Sequence, residues 1–181
     1  MASKSPLTPV QVVRRRRMAV LTRRDYLSLL GKAAAMVLAG WIIFTQVFMF
    51  TQCLGMGMFP AIEDGDLVLV YRLQKEYEKG DVVTYTHNGE TLIGRIVARE
   101  TDVVNMNDSG TLQINGTNQG GEIMYPTYAK PGTEYPFRVP EDTLYLLGDY
   151  RTQSEDSRDF GPIPLDDIQG KVITIVRRRG V

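Results

Sequence analysis

Apolar residues near the start of the chain form one unbroken run, and beyond it they come in short, punctuated pieces. Ala33 to Phe50, AAAMVLAGWIIFTQVFMF, holds no charge over 18 residues, and only Thr45 and Gln46 are polar. At 1.5 Å of rise per residue such a helix covers about 27 Å, close to the ~30 Å hydrocarbon core of a bilayer. The run predicts one transmembrane helix over residues 33–51. A buried helix of a soluble protein and a cleavable secretory signal fit less well. The stretch is too long for a signal's apolar core, and the following TQCLG offers no small-x-small cleavage site.

After Phe50 the pattern changes to β-rich runs: Leu67–Tyr71, Val82–Thr86, Leu92–Val97, Leu112–Ile114, Leu144–Leu147 and Lys171–Val176. Gly, Asn and Asp separate them, which predicts a mainly β, mostly antiparallel domain over residues 52–181. Asn88-Gly89 between two runs is a strong hairpin signal, and it assigns His87, the single histidine, to a turn. Asn115-Gly116 marks a second tight turn. Residues 105–140 read as a smaller inserted subregion. Its part from 118 to 140, with four prolines and the aromatics Tyr125, Tyr128, Tyr135 and Phe137, reads as an irregular flap.

Charge adds orientation to this outline. The chain of 181 residues has 21 basic and 21 acidic groups, but residues 1–32 hold eight basic groups and one acid. That leaves +7 before the span and −7 after it. The positive-inside rule then keeps residues 1–32, with Arg14–Arg17, in the cytoplasm and sends the acidic domain outside. Basic residues beside a span serve topology and lipid headgroups, so no nucleic-acid partner is expected. Composition excludes a disordered chain and a collagen-like one. A lone Cys and a lone His make neither an intramolecular disulfide nor a Cys/His zinc site, and no metal or cofactor is expected. Cys53 is a free thiol just past the span.

The densest chemistry lies in GDYRTQSEDSRDFG, Gly148 to Gly161. Asp149, Arg151, Asp156, Ser157 and Arg158 are spaced to make carboxylate–guanidinium pairs and a structural polar network, with Ser154 beside them. This string resembles the last box of the type I signal peptidases, GDN-R-x-x-S-x-DSR-x-x-G, and departs from it at Tyr150. The resemblance extends in order along residues 33–181. LGMGMFP resembles the box G-x-S-M-x-P, EKGDVV a Gly-Asp box, and LIGRIVARETDVV a box that opens with Lys-Arg.

Two departures fall where the family's reaction occurs. The position of the nucleophilic serine holds Gly57, and that of the general-base lysine holds Gly94. The family's chemistry needs a hydroxyl that attacks the scissile carbonyl and a neutral amine that takes its proton. Glycine supplies neither, so no catalytic residue is expected. Loss of such a nucleophile costs about 10⁶-fold in turnover.

The resemblance implies an extended polypeptide held in a cleft beside the bilayer. Met56, Gly57, Met58, Phe59, Pro60, Val83, Gly94 and Ser154 are candidates to line it, and loss of a lysine stem is expected to enlarge it. It further implies an inactive, single-pass relative from a Gram-positive setting. Such relatives accompany pilus operons and act with sortases, as pilus-assembly factors or chaperones for pilin polymerisation. The alternative is an active serine peptidase with unusual catalytic residues; a passive subunit beside an active peptidase is a third reading.

Overall fold

The computed structural model describes residues 9–120 and 125–177. The chain divides into two units, one up to Thr45 and one from Gln46 onward. The first is dominated by helix α1, Pro9–Val47. Pro9 suits a first helical position because its missing N–H has no intrahelical acceptor there. Leu27, Leu30, Val37, Trp41 and Ile43 of this helix are all exposed. Its part Thr22–Val47 is long and apolar enough to cross a membrane, by length and composition.

The anchor boundary differs from the sequence reading of 33–51. The helix stops at Val47, and Phe48–Gln52 is a strand, β1. FMFTQ is rich in aromatic and β-compatible residues, and it pairs along its whole length with β2, Leu67–Tyr71, which apolarity alone could not reveal.

The second unit is built on a seven-stranded antiparallel sheet. Its other strands are β3 (Val82–His87), β4 (Glu90–Arg99), β9 (Thr143–Leu147), β10 (Ile163–Pro164) and β11 (Ile168–Val176). The order across the sheet is β1-β2-β11-β3-β4-β9-β10. Asn88 and Gly89 both have positive φ, 51° and 83°, and close the β3–β4 hairpin in the tight turn expected. The turn sets the register, with His87 opposite Glu90, Tyr85 opposite Leu92 and Val83 opposite Gly94. His87 therefore ends β3 instead of forming the turn, and its ring stacks on Phe160 at 4.0 Å.

Between β4 and β9, which pair directly, the chain makes a side excursion. It forms a second antiparallel sheet of β5 (Val103–Met106), β6 (Leu112–Ile114), β7 (Thr117–Asn118) and β8 (Phe137–Arg138), ordered β7-β6-β5-β8. The inserted subregion is thus partly regular. Strand β9 shows why both sheets hold to one body. Tyr145 and Leu147 enter the core shared with Val104, Met106 and Leu112 of the small sheet. Leu144 and Leu146, on the opposite side of the pleat, pack with Val83, Tyr85 and Ile96. A third core joins Cys53, Met58 and Ile62 to Val68 and Val70 of β2.

Candidate functional site

The segment after β1 is shaped by its backbone. The N–H of Cys53 donates to the Asp66 carbonyl and that of Gly65 to the Cys53 carbonyl, which pinches residues 53–66 into a loop. Inside it, Phe59 N–H donates to Met56 O and Ile62 N–H to Met58 O. The resulting turn sends Met58 and Ile62 into the core and leaves Met56 and Leu54 outside, 43% and 81% exposed. Gly57 lies half-buried between them. Its N–H meets no acceptor among the described residues.

The loop from Gly148 to Gly161 packs against this turn. The Tyr150 N–H donates to the Gly57 carbonyl at 3.0 Å. A Cβ on Gly148 would collide with the Ser154 side chain and the Gly57 carbonyl, so the approach requires glycine there. Tyr150, the departure from the family pattern, packs its ring at a tilt between Phe59, at 5.9 Å, and Tyr125 of the insert, at 4.6 Å.

Beneath the surface the loop is a buried polar network. Arg158 grips Asp156 with two hydrogen bonds of 2.8 Å, and its Nη2 also donates to the Arg151 carbonyl at 2.6 Å and to Ser154 Oγ at 3.1 Å. Ser154 Oγ in turn donates to Asp156 Oδ2 at 2.7 Å. Asp156 also caps helix α2, Ser157–Phe160, and Ser157 Oγ accepts the Leu146 N–H, which fixes the loop to β9. Burial alone would raise the Asp156 carboxyl; the bonds and charge of Arg158, with the Ser154 and Gly148 donors, outweigh it and hold the group below the ordinary carboxylate range.

The spacing of the loop suggested pairs within it, and Asp156 with Arg158 is one. Asp149 pairs outside the loop, with Arg95 of β4 at 2.7 and 2.6 Å. Arg151, 1% exposed, donates to the Gly148 carbonyl, to Thr127 Oγ1 and to Gln119 Oε1, and burial pushes it down to about 10. Arg95, Thr127 and Gln119 are remote in sequence from Asp149 and Arg151, so local spacing could not find them.

A groove of about 240 Å³ runs between the two loops and the β3–β4 hairpin, with Met56, Gly57, Leu92, Ile93, Ser154 and Glu155 in its wall. Three boxes of the sequence therefore meet at one place, and the candidates Met56, Gly57 and Ser154 line this groove. Met58 also borders the groove, but it is 1% exposed and belongs to the core. Val83 is fully buried and does not line the groove, a correction that follows from its inward register in β3. Phe59 packs on Tyr150, and Pro60 is exposed outside the groove. Gly94 is buried behind Ile93, and the space of its missing side chain is not open. A Cβ there would stand 3.2 Å from Tyr85 Cε1 and 3.4 Å from Leu146 Cβ. The groove thus gains no open space at this glycine, because Tyr85 and Leu146 crowd the place of a Cβ. A Cβ on Gly57 would meet nothing closer than Ser154 Cβ at 3.7 Å.

The hydroxyl and amine that do stand nearby are committed. The Ser154 hydroxyl faces a carboxylate that Arg158 keeps ionised, a weak proton acceptor. Lys130, from the insert, sends its Nζ to the Ser154 carbonyl at 2.7 Å and to Asp159 at 2.6 Å. Cys53 borders the groove, and burial, with Asp64 and Asp66 nearby, pushes its thiol up to about 11. Tyr85, Arg95, Lys130 and Glu155 are the site residues that sequence reasoning missed. The hairpin turn was a usable signal for Tyr85, since it places that ring on the same face as Gly94.

Known proteins are similar to the chain in overall sequence. The chain is 28% identical over 132 residues to thylakoidal processing peptidase 1 of Arabidopsis thaliana, covering 64% of this chain and 38% of that protein. It is 29% identical over 140 residues to signal peptidase I of Bacillus licheniformis, covering 69% of this chain and 73% of the relative. The matches span from 34% to 64% of the length of the two thylakoidal and the mitochondrial curated relatives. A crystal structure of a signal peptidase I from Enterococcus faecalis V583 aligns with a TM-score of 0.47 at 24% identity, over 55% of this chain and 97% of that one. The family model described as signal peptidase, peptidase S26, matches residues 23–177, and the chain belongs to that family.

Proposed function

We propose that this chain is a catalytically inactive signal-peptidase-like membrane protein that holds an extended polypeptide segment in the groove between Met56, Ile93 and Glu155. The observation that carries the reading is the pair of glycines at the serine and lysine positions, with Tyr85 packed where a lysine stem would leave Gly94. A groove binder needs neither a nucleophile nor a base. It needs a trough with free main-chain groups and shallow apolar walls, and the unclaimed N–H of Gly57 beside Met56, Leu92 and Ile93 meets that need. The apolar helix supports a membrane protein, and the positive-inside rule supports the orientation with residues 1–32 on the cytoplasmic side and the β unit outside.

The partner is a secreted or surface polypeptide. The resemblance to inactive relatives makes a pilin, polymerised by a sortase, the specific case, with this chain as an assembly factor or chaperone. The names of the matched relatives favour the competing reading of an active peptidase, and one experiment separates the two. Full-length protein in detergent micelles is mixed with a secretory precursor and with a pilin. We expect pilin to co-purify and the precursor to stay intact over hours. Cleavage that disappears in Ser154→Ala overturns the inactive reading, and intact precursor with no bound pilin removes the pilus assignment.

A further inference from the structure

The groove wall is about evenly apolar and polar, with Leu54, Met56, Leu92 and Ile93 on the apolar side and Thr91, Gln153 and Ser154 as neutral polar contacts. Among its described lining residues Glu155 is the one side chain that carries a charge at neutral pH. Glu155 is exposed and lies in no ion pair among the described residues. The cations of the loop network are engaged with other carboxylates. Lys130 pairs with Asp159 at 2.6 Å, Arg158 with Asp156 at 2.8 Å, and Arg95 with Asp149 at 2.6 Å. A further carboxylate, Asp64, accepts the N–H of Gly55 at the same groove, which adds to the negative potential.

A chain laid along this trough takes water away from the Glu155 carboxylate. Covering a carboxylate without a counter-charge is unfavourable, whereas covering it with a cation makes a charge-assisted hydrogen bond. Discrimination then comes from both directions: a basic side chain gains a partner, a neutral one leaves the acid unsatisfied, and an acidic one is repelled. The unclaimed Gly57 N–H, in the same wall, offers a donor to a main-chain carbonyl of the occupant.

We propose that Glu155 selects the occupant of the groove: an extended polypeptide segment that presents a lysine or arginine to this carboxylate, flanked by apolar side chains that fill the trough between Met56 and Ile93. The inference rests on the peptide-binding reading above and adds the chemistry of the bound side chain. The position is one of the variable x places in the final box, so nothing in the resemblance assigns it.

The test uses the full-length protein in detergent micelles and fluorescein-labelled decapeptides of alternating Ala and Val. Their central residue is Lys, Gln or Glu, and binding is read by anisotropy. The wild type should bind the Lys peptide about fivefold more tightly than the Gln peptide, the gain of a good partly exposed ion pair, and the Glu peptide most weakly. The preference should shrink at about 1 M salt, where screening acts within a few ångströms. Because the negatively charged domain attracts any cationic peptide, the decisive arms are substitutions. Glu155→Gln should bring the Lys and Gln peptides to equal affinity, and Glu155→Lys should invert the order of Lys and Glu. Equal wild-type affinity for Lys and Gln peptides, or a Lys preference that survives in Glu155→Gln, overturns the selection by Glu155 and leaves the groove reading standing. Failure of the wild type to bind any of the three peptides removes the groove reading and this inference with it.

Discussion

Gly57 and Gly94 look equivalent in the sequence, each a glycine where a reactive side chain is expected, yet their surroundings differ. Gly57 faces the groove with ordinary van der Waals room toward Ser154, while Gly94 is crowded by Tyr85 and Leu146. Gly57→Ser should therefore leave the melting temperature within about 1 °C, as a surface substitution that meets no clash. Gly94→Lys should lower stability by about 1–3 kcal/mol, the usual result of forcing atoms into a packed core, and the lysine should cost less when introduced into a Tyr85→Ala background. Thermal unfolding of the single and double variants checks this, and an unchanged melting point for Gly94→Lys refutes the crowding. The glycines themselves were legible in the sequence because their boxes are legible. The filling of one and the openness of the other were not, since they depend on which cross-strand neighbour leans over the gap.

At the level of elements, the loop Gly148–Gly161 shows how far spacing carries. Asp156 and Arg158 stand two positions apart, and that pair forms as the spacing suggests. Arg95 reaches Asp149 across 54 positions through the β4–β9 ladder, and no local pattern contains that partnership. Asp156 sits within the buried cluster with Arg158, Ser154 and Gly148, so Asp156→Asn should cost about 3–5 kcal/mol, the loss seen when one member of a buried pair is removed. Its folded-state acidity is lowered relative to the unfolded chain, whose Asp titrates near ~3.9. The stability it supplies is hence fully present above about pH 5 and fades as the pH falls through the folded value. Denaturant midpoints from pH 7 down to pH 2 should decline in the wild type and decline less steeply in Asp156→Asn. Parallel curves would show that the acid dependence arises elsewhere. The strands themselves were mostly readable from β-rich runs and Asn-Gly turns. Strand β1 was hidden because an apolar strand that continues an apolar helix has no change of composition to mark it.

For the molecule as a whole, the basic start, the apolar helix and the acidic β unit together predict an orientation across a membrane. Protease added outside intact cells should digest the domain from Gln46 onward while an epitope at residue 2 stays protected until the membrane is permeabilised. Protection of the domain instead would reverse the assigned orientation. The antiparallel β class and the inserted subregion could be anticipated from punctuation and composition. The order of strands could not, because pairing partners far apart in sequence are chosen by the completed core.

That order has a further consequence. Strand β11 lies between β2 and β3, so the strand latest in sequence among those of the main sheet is the one that joins its two parts. Until residues 168–176 are in place, β1-β2 and β3-β4-β9-β10 are separate ribbons, each with a raw hydrogen-bonding edge open to misassembly. A truncation shortly before Ile168 would therefore keep every other strand of the main sheet and still leave that sheet in two pieces.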